Sequence, residues 1–124
     1  MVTYNEHLKN ILIKVLDSYN ILKEINDKPD DLDNIKKEML KINGFLKVIL
    51  KKINIDKIPT SDFKTIKSKF QHYLDNYYFE QEIETMGPLY SDDLSRVKNM
   101  RLKIIEALED KKMMEEVKEL IEKI

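Results

Sequence analysis

Along almost the whole chain, apolar residues return at steps of three and four, and no segment alternates with a period of two. Steps of three and four place side chains on one face of a helix, whereas a half-buried strand needs strict alternation. Two glycines and three prolines in 124 residues leave little material for a β-meander, a Rossmann turn or a Gly-rich phosphate loop. The sequence therefore predicts an all-α fold: an antiparallel bundle of four to five helices in a single domain spanning 1–124. The absence of cysteine excludes a disulfide framework, a Cys zinc site and a thiol nucleophile.

The first helix is expected over about residues 3–25, with Leu8, Ile11, Leu12, Val15, Tyr19, Leu22 and Ile25 on one face. Pro29 stops it, since proline cannot continue a helix. The second helix, about 32–53, carries Ile35, Met39, Ile42, Leu46, Ile49 and Ile53 in alternating steps of four and three. That heptad-like seam suits either a bundle core or a coiled-coil partner. Gly44 lies opposite the seam, at a cost of roughly 1 kcal/mol against alanine. The third helix, about 61–86, has Phe63, Ile66, Phe70, Tyr73, Leu74, Tyr77 and Gln81 on its seam and is expected to stop at Gly87-Pro88. Ser91 is the expected cap of the fourth helix, about 91–109, which bears Leu94, Val97, Ile104 and Leu108 with Arg101 inside the same row. The phase then slips. Met113, Val117, Leu120 and Ile124 resume on a different face, which predicts a break near Glu109-Asp110 and a short fifth helix over about 111–123, capped by Asp110.

Catalytic and metal chemistry find few candidates. Neither His7 nor His72 has a glutamate three residues before it, so the Glu-x-x-His pairs of di-iron bundles are absent. The stretch from Asp27 to Glu38 has the end residues of a calcium loop, but Pro29 and Leu32 occupy positions that such a loop cannot give them. Glu80, Glu82 and Glu84 read as a solvated helix face, as do the histidines. The expectation is a protein that is not an enzyme and uses no metal or cofactor. No run is long and apolar enough to span a membrane, and the N-terminus lacks a basic region followed by an apolar one. A cytoplasmic protein without membrane contact is expected.

Two surfaces remain as candidates. The first is on the third helix. Projected at about 100° per residue, Phe79, Ile83 and Met86 fall opposite the seam, with Tyr78 on the flank. A helix apolar on nearly all sides is either buried or docked. Read as docked, Tyr78, Phe79, Ile83 and Met86 form an interface for another protein, or for a second copy of the chain in a homodimer. Read as buried, the same stripe is core. This protein-interaction reading, as a subunit, adaptor or regulator, is the favoured one. Base stacking on Tyr73, Tyr77, Tyr78 and Phe79 is a weaker alternative, because the seam and its opposite stripe already account for three of them.

The second surface is electrostatic. Residues 36–69 hold ten basic and three acidic groups, whereas the flanking segments carry net charges of −3 and −5. On the second helix, Lys36, Lys37, Lys41, Lys47, Lys51 and Lys52 all avoid the seam. Such a face suits a nucleic-acid phosphate backbone. It is the alternative function. Lysine outnumbers arginine 20 to 2, so contact would rest on point charges rather than bidentate guanidinium forks.

Overall fold

The computed structural model describes residues 4–25, 31–52, 61–90 and 93–123. These residues form α1 (Tyr4–Glu24), α2 (Asp31–Lys52), α3 (Ser61–Asn76), α4 (Phe79–Tyr90), α5 (Leu94–Glu109) and α6 (Met113–Lys123), with one 3₁₀ turn at Asp110–Lys112. The fold is an all-α bundle, as the periodicity requires. Only six residues separate α1 from α2. They reach at most about 23 Å, less than the roughly 30 Å length of either helix. That is too short for a parallel side-by-side pair, and among the described residues α1 and α2 share the most extensive helix pairing, so they run antiparallel. Helix α2 also packs against α3, α4 and α5, and α6 closes the bundle against α1, α3 and α5.

The core follows the predicted faces closely on α1 and α2. Leu8, Leu12, Val15 and Leu22 of α1 are fully buried, as are Ile35, Met39, Ile42, Leu46 and Ile49 of α2. The α2 seam is thus satisfied inside the chain and is not open to a coiled-coil partner. Ile53 lies outside the described residues. So do the side chains of Phe63 and Lys52.

The expected third helix is two helices. α3 ends at Asn76 and α4 begins at Phe79, with no proline or glycine at the break. Side chains compete for the backbone here. The Asn76 amide donates to the His72 carbonyl at 2.8 Å, and the Tyr78 hydroxyl donates to the Asp75 carbonyl at 2.8 Å. The Asp75 carbonyl is the acceptor that a continuous helix would offer to the Phe79 N–H, and local side-chain bonds of this kind give the chain an alternative to helix. Gln81, assigned to the seam of an unbroken helix, is consequently exposed. At its other end, α4 runs past the expected stop to Tyr90, with Pro88 inside its last turn. Gly87 does not adopt a positive φ, so it does not form the left-handed terminus that glycine favours.

The predicted break before the last helix is present. Asp93 caps α5 by accepting from the Arg96 N–H at 3.2 Å, and Ser91 lies outside the described residues. Leu94, expected on the seam, is half exposed at the first helical position. Asp110 ends α5 rather than capping α6: its N–H returns to the Ala107 carbonyl, and Lys111 and Lys112 follow at φ 55° and 60°. These left-handed residues turn the chain so that Met113, Met114, Val117 and Leu120 become buried. Lys69 of α3 holds the turn, donating to the Lys111 carbonyl at 2.7 Å and pairing with Glu116.

Arg101 sits where the sequence put it, inside the apolar row of α5, and it is buried. Its guanidinium donates to the Leu22 carbonyl at 3.2 Å and, more weakly, to the Lys23 carbonyl at 3.5 Å. Those carbonyls belong to the last turn of α1, which has no partner for them within the helix. Arg101→Met keeps the aliphatic bulk but leaves a buried carbonyl without its charged donor. We expect it to lower unfolding free energy by about 1.5–3 kcal/mol in urea titration, with an unchanged m-value; a change below about 0.5 kcal/mol would show that water satisfies the turn equally well.

Candidate functional site

The four residues proposed from the sequence as a protein interface are divided by the structure. Phe79 and Ile83 are each only 3% exposed and belong to the core cluster. Met86 is half-buried against that cluster, and Tyr78 is 63% exposed. The expectation of a docked stripe therefore fails for Phe79 and Ile83. The physical reason is the break at Tyr77-Tyr78. On a straight helix two apolar stripes face opposite directions and one must be left over. With the helix broken, each stripe becomes the inward face of its own segment.

The α2 lysines keep the disposition the sequence gave them. At about 100° per residue, Lys36, Lys47, Lys51, Lys37 and Lys41 cover an arc of about 140°, opposite the buried seam. Lys37, Lys41, Lys47 and Lys51 are exposed, while Lys36 is partly covered. Lys36 lies 3.6 Å from Glu84 of α4, and Lys41 lies 3.3 Å from Glu38. Lys37, Lys47 and Lys51 make no ion pair among the described residues. From Lys37 to Lys51 the face is about 21 Å long at 1.5 Å per residue. Lys14 of α1 extends it sideways, with its ammonium 6.0 Å from the centre of the Phe45 ring. Gly44 lies in the middle of the arc with nothing within 4 Å of where a Cβ would stand.

One edge of this face meets the break between α3 and α4. A cleft of about 250 Å³ opens there, lined by Asn43 and Lys47 of α2 together with Leu74, Tyr77, Tyr78, Phe79, Glu80 and Gln81. Tyr77 stacks on Phe79 at 5.4 Å and 15°, and lies 5.7 Å from Tyr73. The Tyr78 hydroxyl is tied to Asp75. The Asn43 amide donates to the Met39 sulfur at 3.1 Å, and its oxygen is buried without a partner among the described residues. The sequence could not show this cleft, because it exists only where the helix breaks.

Titratable groups elsewhere are structural in their surroundings. Burial pushes the Tyr73 phenol well above its ordinary pKa, and its hydroxyl has no partner among the described residues. Burial and then the Glu109 carboxylate push Tyr19 in the same direction, with a 2.6 Å hydrogen bond from the hydroxyl to Glu109. His72 is half-buried, 3.2 Å from the Asn76 amide and 3.9 Å from Asp110. Among the described residues, no group of three or more His, Cys, Asp or Glu side chains is arranged to hold a metal ion. None of their helices is long and apolar enough to cross a membrane. No family model matches the chain, no curated protein matches it, and no solved structure matches it.

Three substitutions check this geometry. Phe79→Ala removes a buried ring and is expected to cost about 3–5 kcal/mol, against about 1 kcal/mol for Tyr78→Ala, whose main loss is one hydroxyl bond. Equal costs in chemical denaturation would contradict the placement of the α4 stripe. Gly44→Ala should stabilise the chain by about 0.5–1 kcal/mol, because the position is helical and open; a fall in melting temperature would mean that something packs on it.

Proposed function

We propose that the protein is a non-catalytic helical binding module that contacts a nucleic-acid phosphate backbone through the lysine face of α2. The observation that carries this reading is the row of exposed lysines, Lys37, Lys47 and Lys51, without ion pairs among the described residues on a helix whose other side is fully buried. A buried seam fixes the rotation of α2, so the ammonium groups are presented together without a rearrangement. Binding of this kind depends on phosphate neutralisation and counterion release. It reads little sequence, since lysine offers no bidentate fork for base edges.

A second reading keeps protein interaction, moved to the outer edge of α4. Leu89 is 70% exposed and Leu94 is 50% exposed, on either side of the α4–α5 connection. An open cleft of about 480 Å³ is lined by Gln81, Glu82, Thr85 and Met86 of α4 and Arg96 of α5. Partner contact there would be largely apolar and weakly dependent on salt.

Fluorescence anisotropy with labelled DNA and RNA tests the first reading. Affinity should fall as salt rises, with a log–log slope of about −2 to −3 if three lysines each neutralise one phosphate. Lys37→Glu, Lys47→Glu and Lys51→Glu together should abolish binding while the circular-dichroism melt stays close to that of the parent. Binding unaffected by the triple substitution would overturn the assignment of the face.

A further inference from the structure

The cleft at the α3–α4 break adjoins the lysine face, and Lys47 belongs to both. We infer that this cleft takes one unstacked base of a single-stranded nucleic acid whose phosphates follow the α2 lysines. The inference rests on the reading of α2 as a phosphate-binding face, and it narrows the partner from nucleic acid in general to a single strand.

Three features of the cleft argue for a base. The first is an aromatic surface next to positive charge. Tyr78 is exposed while its hydroxyl is held by the Asp75 carbonyl, so the ring is restrained before any ligand arrives. Aromatic platforms beside a basic groove are the general means of holding single strands. The second feature is size. At about 250 Å³ the cleft is smaller than the roughly 300–1,000 Å³ of most small-molecule sites, which suits one planar ring rather than a whole cofactor. The third is the polar rim. Gln81 and Glu80 are exposed and line the opening. The Gln81 carbonyl and the Glu80 carboxylate can accept from an exocyclic amine of adenine, cytosine or guanine. Glu80 also repels phosphate, which keeps the backbone on the Lys47 side and the base on the other.

A duplex does not fit this arrangement, because its bases are stacked and paired, and extruding one costs a few kcal/mol. In a single strand that cost is smallest. The same lysines would touch either partner, so the cleft, not the charge, separates them.

The test compares short single-stranded DNA, single-stranded RNA and duplex DNA in anisotropy titrations at low salt. The proteins are the parent, Tyr78→Phe, Tyr78→Leu and the triple lysine variant. Single strands, of one or both sugar types, should bind more tightly than duplex. Tyr78→Phe keeps the ring and should retain single-strand affinity within about twofold. Tyr78→Leu keeps bulk but loses the aromatic face, and should weaken single strands by about tenfold, near the middle of the range for one stacked base, with duplex affinity unchanged. Equal weakening of duplex and single strand by Tyr78→Leu, or none of either, would overturn the base site. If the triple lysine variant still loses binding in that case, the α2 reading stands alone. Absence of binding to every probe at low salt would overturn both.

Discussion

Ile35, Met39, Ile42, Leu46 and Ile49 have no solvent exposure, and four other helices pack on the helix that carries them. The rest of the molecule is arranged around that row. Each such side chain contributes about 1.5–3 kcal/mol by leaving water, so rotating α2 about its axis would expose the row and bury lysines in exchange. The outward direction of Lys37, Lys47 and Lys51 is therefore a consequence of the core. A charged face held in this way needs no ordering step before it meets a polyanion, which is the physical basis for reading it as a contact surface.

The other helices also depend on interactions that cross between them. Arg101 is the clearest example. A charged side chain in an apolar row is costly unless its donors are used, and here they meet the open carbonyls at the end of α1. One residue thereby completes a helix terminus 79 positions away. The α5–α6 turn shows the same logic. Lysines at positive φ are unfavourable by themselves, and Lys69 of α3 ties the turn down. Local strain is accepted because the turn brings the buried face of α6 onto the bundle.

The break at Tyr77-Tyr78 links the fold to the candidate site. It resolves two competing apolar stripes by giving each its own helix, and it opens the cleft that Tyr78 borders. The same backbone event that removes Phe79 and Ile83 from the surface thus creates the recess beside Lys47. A proposed protein interface on α4 contracts to its outer edge, and the edge of the lysine face gains an aromatic neighbour.

Much of this was legible in the residue pattern. The all-α class, the inward faces of α1 and α2, the lysine arc, the buried position of Arg101 and the phase slip near Asp110 all follow from spacing, because a helix converts sequence separation into angle. What spacing does not contain is where a helix ceases to be straight. No proline or glycine marks Tyr77-Tyr78, and each half of 61–90 has good helical periodicity. The choice between core and surface for Phe79 and Ile83 was therefore undetermined along the chain. Tertiary packing decided it, since both stripes are buried in one core, and the Tyr78 hydroxyl takes up the Asp75 carbonyl at the break. The cleft, the use of Arg101 by α1 and the clamp of Lys69 on the last turn were likewise settled only in three dimensions, because each joins residues that no local pattern relates.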